Sequence, residues 1–423
     1  MTVEKLYEIY LRHPSIQTDT RQLRPGDLFF ALKGPNFNAN QFAAKALDLG
    51  AAYVIIDEGE SADRLIKVPD VLTTLQDLAL HHRQQFNIPF LAITGSNGKT
   101  TTKELIHTVL STTYTTYTTK GNLNNHIGIP LTILSVRPDA QLAVIEMGAN
   151  HQKEIEGYCR YTLPTHGLIT NIGKAHLEGF GGPEGVKKGK GELFDFLRTH
   201  DGTAFVLTDS PDLPEMSKGI PRIIRYGTHD ADIVGNVLNT SDSFLHADIT
   251  QGAATGPIHT QLVGDYNLPN VLAAVAVGKH FAVPDDRIRQ SLEAYIPSNS
   301  RSQLIEKDGN HIILDAYNAN PSSMRAAIEN FARIESRKVL ILGAMAELGP
   351  ESLAEHQGIV NLIAQYPWQY VVLVGGDFQK INHPYISFAD SKEAAAWLHN
   401  ANLKDTWLLI KGSRSMKMEE VLP

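Results

Sequence analysis

Short runs of apolar residues, each followed by a turn signal, recur along the chain and alternate with stretches that carry apolar residues every three or four positions. Short apolar runs are typical of buried strands, and the three-to-four spacing is typical of helices that pack on a sheet. Because the two kinds of segment alternate, the pattern predicts an α/β protein built on parallel sheets with helices on their faces.

The alternation divides the chain into three blocks. Residues 1–85 hold GDLFFALKG and AAYVIID with a helical stretch between them, and they predict a small N-terminal α/β domain. Residues 86–297 hold PFLAIT, LAVIEMG and HGLITNIG, and they predict a central domain with a parallel sheet. Residues 298–423 restart the pattern with HIILDAY, KVLILGAM, YVVLVGG and TWLLIKG, and they predict a Rossmann-like C-terminal domain. The segment AYIPSNSRSQ is the predicted linker between the last two domains.

Composition narrows the possible partners. The chain has 38 basic and 46 acidic residues and a net charge of -8, so a broad basic surface for nucleic acid or an anionic membrane is not expected. No apolar run reaches the roughly 18 residues of a membrane span. The single cysteine, Cys159, excludes an internal disulfide and suits a reducing compartment. We therefore expect a cytoplasmic protein, with no membrane span and no nucleic-acid partner, that is a monomer and binds anions at local sites.

The stretch ITGSNGKTTTKEL (93–105) looks like a phosphate-binding loop with a shortened spacing. The usual loop, G-x-x-x-x-G-K-[ST], requires glycine at position 93, but this chain has Ile93 and its first glycine is Gly95. A predicted strand precedes the loop and a predicted helix follows it, so backbone N–H groups and the helix dipole can hold phosphate there. Lys99 can then reach terminal phosphates, and Thr100 can offer its hydroxyl to Mg²⁺. A turn that only caps a helix is the alternative, and Gly-Lys-Thr-Thr after a strand favours nucleotide binding.

Polar residues also follow other predicted strands of the central block. VIEMGAN places Glu146 at a strand end, where doubly wound sheets bind ligands and a carboxylate can hold magnesium. NIGKAHLEGFGG places His176 past the next strand, and GVKKGKGELFDFL adds Lys187, Lys188 and Lys190 on a predicted helix. Taken alone, Glu146 is equally well a solvated strand end, and most lysine runs are solvated faces.

Asparagines mark two further edges. VGDYNLPNVLAAVAV places Asn267 and Asn270 three residues apart at a predicted helix start, where they share one face. LDAYNANPSSM ends a predicted strand with Asp315, Asn318 and Asn320. A helix cap and an Asx turn are the simpler explanations of these motifs. Each motif is weak by itself, so the residues alone leave the reaction open.

Together and in this order, the motifs resemble the Mur ligase family, ATP-dependent enzymes that form amide bonds in peptidoglycan precursor synthesis. The shortened loop is similar to that family's version of the phosphate loop. Within the family, the chain most resembles the members that add D-alanyl-D-alanine. It departs from their pattern at Ala344, where an aspartate is common, and at His126, where an acidic residue is common; both positions bear on the pocket for the incoming amine. The similar segments run from residue 18 to residue 422: TDTRQLRPGDLFFALKG, GNLNNHIGIPLTIL, AHLEGFGGPEGVKKGKGELF, DAYNANPSSM, LGAMAELG and KGSRSMKMEEVL.

The resemblance implies a role for each motif. The phosphate loop would bind the ATP phosphates, and Lys190 matches a lysine that some family members carry as a carbamate. The residues implied in catalysis are Lys99, Glu146, His176, Lys190 and Arg301, and those implied in magnesium binding are Thr100, Glu146, His176 and Lys190. The residues implied in ATP binding are Gly95, Ser96, Asn97, Gly98, Lys99, Thr100, Thr101, Asn267, Asn270, Arg301, Asp315 and Asn318. Those implied in binding the UDP-sugar and its peptide arm are Thr18, Asp19, Arg21, Lys33, Asn122, Asn124 and Asn125.

The implied reaction joins UDP-N-acetylmuramoyl-tripeptide to D-alanyl-D-alanine through an acyl phosphate formed from ATP. Because water would hydrolyse an acyl phosphate, we expect the third domain to close on the central one. Two alternatives stay open. One is another amide ligase of the same family, including one that extends folate with glutamate. The other is a regulator that binds ATP without ligating anything.

Overall fold

The computed structural model describes residues 1–238, 244–298 and 300–422. Asn299 of the predicted linker and Pro423 at the end of the third block lie outside the described residues. Strands and helices alternate along the chain in three successive sheet-based units, which confirms the α/β class. In these ranges, no helix combines the length and the apolar character that crossing a membrane requires.

The N-terminal unit is a small sheet with a hairpin beside it. Strand β2 is buried on both faces, which is typical of a parallel strand covered on both sides. The strand order in the sheet is β1-β2-β5-β6, all parallel, and β3 pairs with β4 in an antiparallel hairpin. The elements are α1 (Val3–Arg12), β1 (Ile16–Gln17), β2 (Leu28–Phe30), β3 (Lys33–Gly34), β4 (Phe37–Asn38), α2 (Ala43–Asp48), β5 (Tyr53–Ile56), β6 (Leu65–Lys67) and α3 (Val71–Arg83).

The central unit holds the largest sheet. Its elements are β7 (Phe90–Thr94), α4 (Lys99–Ser111), β8 (Thr116–Thr118), α5 (Gly128–Leu134), β9 (Leu142–Glu146), α6 (Glu154–Thr162), β10 (His166–Ile169), α7 (Leu177–Phe180), α8 (Pro183–Thr199), β11 (Thr203–Leu207), α9 (Leu213–Met216), β12 (Arg222–Gly227), β13 (Ile233–Val237), β14 (Phe244–Gln251), β15 (Pro257–Val263), α10 (Leu268–His280) and α11 (Asp285–Ala294). Helix α10 is buried along most of its length and packs against α4 and the sheet.

The strand order of the central sheet places the phosphate loop where ligands bind in such folds. The order is β15-β14-β13-β12-β11-β10-β7-β9-β8, and the strands from β8 to β13 are parallel as predicted. After β7 the chain crosses to β8 and β9 on one side, and β10 then returns to the other side. The loop after β7 therefore lies at a switch point at the carboxyl edge. Strands β14 and β15 are antiparallel, which the apolar pattern did not predict.

The third unit repeats the doubly wound plan. Strands β17, β18, β19 and β21 are the four predicted apolar runs, and α12 is the predicted helix that follows Pro321. The order is β16-β17-β21-β18-β19-β20, with β16 antiparallel to β17 and the other pairs parallel. The elements are β16 (Gln303–Lys307), β17 (Asn310–Asp315), α12 (Pro321–Ala332), β18 (Arg337–Gly343), α13 (Ser352–Ile363), β19 (Tyr370–Val374), β20 (Ile386–Phe388), α14 (Ser391–Ala401) and β21 (Thr406–Lys411).

The sequence predicts domain boundaries near residues 85 and 297. Helix α3, which precedes the predicted boundary near residue 85, packs against α1 of the N-terminal unit and against α5 and α6 of the central unit. The boundary near residue 297 falls between α11 and β16. Both boundaries stay predictions.

Candidate active site

The carboxyl edges of the central and third sheets face each other across one cavity of about 650 Å³, which we call the cleft. That volume is in the range of ordinary small-ligand sites. The cleft is lined by most of the residues that the sequence singled out: Ser96, Asn97, Gly98, Lys99, Thr100, Thr101, Asn124, Asn125, Glu146, His176, Asn267, Asn270, Arg301, Asp315 and Asn318.

The shortened phosphate loop is a packed structure. Gly95 has φ +142°, and a Cβ there would lie 1.9 Å from the Thr170 hydroxyl oxygen. Gly98 has φ +78°, and a Cβ there would lie 2.7 Å from Oδ1 of Asn270. Glycine is therefore required at both positions, by conformation and by space. Helix α4 begins at Lys99, so its first N–H groups point toward the cleft.

Lys99 is held by its own loop. Its Nζ donates to the carbonyl of Gly95 at 2.7 Å and to that of Ser96 at 3.3 Å. The pKa of Lys99 is lowered to about 8: burial is the main cause, the Glu146 charge opposes the shift, and the nearby Arg301 cation adds to it. The Lys99 amine donates only to neutral carbonyls, so the negative charge of a bound phosphate would stabilise its positive charge.

Glu146 presents a carboxylate oxygen without a partner. It ends β9 and is almost fully buried. Its Oε1 accepts from the Thr100 hydroxyl at 3.1 Å and from the Asn124 side-chain amide at 2.8 Å. Its Oε2 is buried and has no hydrogen-bond partner within the described ranges. Because a buried bare carboxylate oxygen is costly, this atom is suited to meet a cation or a donor from a ligand.

The described residues contain no cluster of three or more His, Cys, Asp or Glu side chains that could hold a metal ion. Mg²⁺ usually binds through one or two carboxylates together with substrate phosphates and water. The bare oxygen of Glu146 beside the Thr100 hydroxyl fits that mode of binding.

His176 lies at the boundary between the central and third units. It has φ +53° just before α7, and its Nδ1 is in close contact with the Glu347 carboxylate of the third unit. The hydrogen bond with His176 lowers the pKa of Glu347. The contact brings His176 to the cleft wall, as expected, but its partner is a carboxylate from another unit.

Lys190 lies behind the cleft wall. It is almost fully buried in α8, and its Nζ donates to the carbonyl of Ala149 at 3.0 Å, with the Phe180 ring 4.9 Å away. Burial, and secondly the charge on Lys99, lower the pKa of Lys190 well below its ordinary value. The other two lysines of the run match the solvated-face interpretation: Lys187 pairs with Asp212 and Lys188 is exposed.

Asn267 and Asn270 share one face, as predicted, and pack behind the phosphate loop. The Asn270 amide donates to Asn267 Oδ1 at 2.8 Å, and Asn270 Oδ1 accepts from the Thr102 hydroxyl at 2.9 Å. Both are buried, so they stiffen the start of α4 and α10 and also reach the cleft.

The third unit contributes a cation and an ion pair. The Arg301 guanidinium stacks over the Tyr317 ring at 3.6 Å. Asp315, at the end of β17, pairs with Lys411 at the end of β21, with Nζ to Oδ2 at 2.5 Å. Lys411 also donates to the backbone carbonyl of Asn318 at 3.3 Å.

The remaining predicted residues do not line the cleft. Asp19 pairs with Arg21 at 2.6 Å, and the hydrogen bonds from Arg21 lower the pKa of Asp19 to about 2. Lys33 lies 3.1 Å from an oxygen of Asp57, also in the N-terminal unit. Thr18, Asn122 and Gly95 also lie outside the cleft lining.

Several cleft residues were missed by the sequence analysis. Asn171 forms two hydrogen bonds with Asn97, and Lys411 is the last residue of β21. The available signal was position: Asn171 and Lys411 both stand at the carboxyl end of an apolar run. Of the two departures from the family pattern, His126 lines the cleft, whereas Ala344 is buried and its carbonyl accepts from the Ser413 hydroxyl.

Comparison with known proteins places the chain in a family. Residues 93–278 match the model of the Mur ligase middle domain, and residues 300–414 match that of the Mur ligase glutamate ligase domain. The chain is 33% identical to the UDP-N-acetylmuramoyl-tripeptide–D-alanyl-D-alanine ligase of Bacillus subtilis strain 168, over 98% of this chain and 93% of the relative. It is 36% identical to the enzyme of the same name from Escherichia coli strain K12, over 96% and 92%.

Solved structures agree along the full length. A crystal structure of MurF from Acinetobacter baumannii matches with a TM-score of 0.89 and 30% identity, over 99% of this chain and 97% of that one. The MurF ligase of Thermotoga maritima in complex with ADP matches with a TM-score of 0.87 and 27% identity, over 97% and 96%. Since relatives above 30% identity cover nearly the whole chain and family models match two of its three units, this chain belongs to the Mur ligase family.

Proposed function

We propose that the chain is an ATP-dependent ligase that joins D-alanyl-D-alanine to UDP-N-acetylmuramoyl-tripeptide and releases ADP and phosphate. The observation that carries this proposal is the arrangement of Lys99, Thr100 and Glu146 at one switch point, with a buried carboxylate oxygen left free for a ligand. The names of the relatives in Bacillus subtilis and Escherichia coli support the same substrates, and the structure of the Thermotoga maritima relative with ADP supports ATP as the phosphoryl donor.

A carboxylate must be activated before an amine can attack it. We propose that a carboxylate oxygen of the tripeptide attacks the γ-phosphorus of ATP, so that the bond from that phosphorus to ADP breaks and an acyl phosphate forms. Lys99 and Arg301 lie on the cleft walls where they can neutralise the approach of the two anions. The amine of D-alanyl-D-alanine then attacks the acyl carbon, loses a proton, and phosphate leaves with its bonding electrons.

Magnesium fits the central edge of the cleft. Thr100 and Glu146 would hold it, with His176 as a further contact, because Glu146 contacts Thr100 of the loop that would carry the phosphates and has a second carboxylate oxygen without a partner in the described ranges. The ion would supply charge neutralisation to the phosphate oxygens. The Asn124 amide keeps the Glu146 carboxylate oriented with one oxygen committed and one free.

We also propose that Lys190 is a site of carbamate formation. Its lowered pKa leaves a larger fraction of neutral amine, which is the form that attacks carbon dioxide; the new N–C bond forms as the amine loses a proton. A carbamate would turn the buried cation into an anion near Lys99. With ¹³C-labelled bicarbonate, a carbamate signal is expected in the wild-type protein and in Lys188→Arg but not in Lys190→Arg. An identical signal in all three would contradict the proposal.

Residues of the N-terminal unit are proposed to bind the UDP-sugar, and the asparagine loop to bind its peptide arm. Lys33 and Arg21 are exposed cations that can meet a diphosphate, although carboxylates already accompany both. Asn124 and Asn125 lie at the cleft wall, which the phosphate loop also lines. A cytoplasmic location and a monomeric state stay predictions, to be checked by fractionation and by sedimentation.

The experiment that tests the function is phosphate release from ATP with magnesium, the UDP-tripeptide and D-alanyl-D-alanine, with each component omitted in turn. Release should require all of them, and the product should be heavier than the UDP-tripeptide by one dipeptide residue. Full release without the dipeptide would indicate another amine substrate or an uncoupled ATPase. Absence of release with the complete set would favour a regulator or another ligase of the family.

A further inference from the structure

One hydrogen bond joins the phosphate loop directly to the third unit. The side-chain amide of Asn320 donates to Oδ1 of Asn97 at 2.7 Å. Asn97 belongs to the loop between β7 and α4, and Asn320 precedes α12, so the bond connects residues 223 positions apart. Asn320 is buried and Asn97 is half-buried, so the contact is partly shielded from competition with water.

The central unit fixes the backbone of Asn97. Its N–H donates to Oδ1 of Asn171 at 3.0 Å, and its carbonyl accepts from the Asn171 amide at 3.1 Å and from the Thr170 hydroxyl at 2.5 Å. Because both backbone groups of Asn97 are already bound within the central unit, its side chain is the part that can contact another unit. Oδ1 of that side chain is the acceptor that Asn320 reaches.

The Asn320 side chain serves two structures at once. Its Oδ1 accepts from the N–H of Ser323 and caps α12, and the Ser323 hydroxyl accepts from the Asn320 N–H in return. Its Nδ2 is the group that binds Asn97. A shift of the phosphate loop would therefore move the Asn320 side chain, which also caps the start of α12.

The surroundings let the first turn of α12 approach the loop closely. The Lys174 N–H donates to the Ser322 hydroxyl at 3.1 Å, and a Cβ at Gly173 would lie 3.1 Å from that hydroxyl oxygen. The ion pairs between the two units in the described ranges, Lys174 with Glu355, Arg333 with Asp265 and His176 with Glu347, each have one partner at least half exposed. Such pairs contribute little and place the units only loosely.

We propose that Asn320 is a positioning residue for the ligase reaction: its hydrogen bond to Asn97 couples the conformation of the phosphate loop to the docking of the third unit. This inference rests on the proposed ligase function. The third unit brings Arg301 and Asp315 to the cleft, so the coupling aligns them with the loop that holds the phosphates.

Hydrogen exchange of the free protein tests the coupling without any ligand. In Asn320→Ser the hydroxyl can still cap α12, but it is too short to reach Asn97. We expect exchange to rise about threefold to tenfold in both the loop 95–99 and the first turn of α12. The matched control is Asp390→Ser at the cap of α14, where Asp390 accepts from two backbone N–H groups and does not line the cleft. It should leave the loop unchanged.

An increase confined to α12, no increase at all, or an equal increase in the Asp390→Ser control would overturn the proposal. Kinetics provide a second, independent arm. The kcat/KM for ATP should fall about tenfold in Asn320→Ser, and the double variant Asn97→Ser/Asn320→Ser should be no slower than the slower single variant. Additive losses would mean that the two residues act separately. A wild-type protein that releases no phosphate would refute the ligase function, and the exchange experiment would still decide the coupling.

Discussion

The carboxyl edges of the central and third sheets face the same cleft, but they differ in how their charged side chains are paired. At the central edge, Glu146 keeps one carboxylate oxygen without a partner, and Lys99 donates only to backbone carbonyls of its own loop. At the third edge, Asp315 and Lys411 pair with each other at 2.5 Å. The charges of the central edge thus have no direct ion-pair partner in the described ranges, whereas those of the third edge are paired.

This difference suggests that the central edge binds ligands and that the third edge fixes the geometry of its strand ends. An uncompensated buried charge costs free energy in the folded protein, and that cost is offset only when a ligand of opposite charge arrives. A paired buried charge needs no ligand, because each partner satisfies the other and fixes the geometry of the strand ends. We therefore expect substitutions at the central edge to reduce activity more than stability, and substitutions at the third edge to reduce stability first.

The largest effect is expected from Lys99→Ala. Removing a cation that faces the transferred phosphoryl group should lower kcat about a thousandfold, because the developing negative charge loses a preorganised partner. Steady-state phosphate release measures this. The control is Lys187→Ala, since Lys187 is a partly exposed lysine paired with Asp212 on the same unit. It should stay within about twofold of the wild type. A Lys99→Ala variant that keeps a tenth of the activity would contradict the expected difference between the two edges.

Glu146→Gln should lower kcat about a hundredfold and raise the magnesium concentration required for half activity. The amide oxygen can still accept from Thr100 and Asn124, but the charge that would meet the ion is lost. Because that charge is buried without a direct ion-pair partner in the described ranges, the free energy of unfolding should change by less than about 0.5 kcal/mol or increase. Urea denaturation beside the magnesium titration checks both statements. A strongly destabilised variant with normal magnesium dependence would make Glu146 structural.

Asp315→Asn should show the opposite balance. It leaves the Lys411 amine, which is 2% exposed, without a countercharge, so the free energy of unfolding should fall by about 2 kcal/mol. The double variant Asp315→Asn/Lys411→Met removes both charges and should recover part of this loss. Equal losses in the single and double variants would show that packing, and not charge pairing, holds the third edge.

The apolar pattern was sufficient for the plan of the fold. Strand β7, the loop glycines and the start of α4 are set by local sequence, so the phosphate loop could be predicted despite its shortened spacing. Glu146 could be predicted because it ends an apolar strand. Strands β14 and β15 were not predicted: their apolar runs are interrupted, and antiparallel pairing follows from short connections that such runs do not reveal.

Partners distant in the sequence could not be predicted. The sequence indicated that Asp315 stands at a strand end, but the order of the third sheet is what places β21 next to β17 and so brings Lys411 to it. In the same way, Asn320 is recognisable as a helix cap, and only the docking of two units shows that its amide reaches Asn97. The role of a residue in its own turn or helix cap can be predicted from neighbouring residues, whereas a contact between distant residues depends on the topology.

A dependence of stability on pH is also expected from Lys99. Its pKa is lowered from 10.5 to about 8, so the folded protein releases this proton at a lower pH than the unfolded chain does. Below about pH 8 both states carry the charge, and the folded state bears the full cost of burying it. Between about pH 8 and 10.5 the folded state sheds the proton first, so this cost diminishes and stability rises with pH. The free energy of unfolding of the wild type, minus that of Lys99→Met, should therefore increase by about 1 kcal/mol per pH unit across that window. Subtracting Lys188→Met, which replaces an exposed lysine of the same unit, should give a flat difference. A flat or falling difference for Lys99→Met would mean that its amine is already compensated, and the contrast between the two edges would then rest on Glu146 alone.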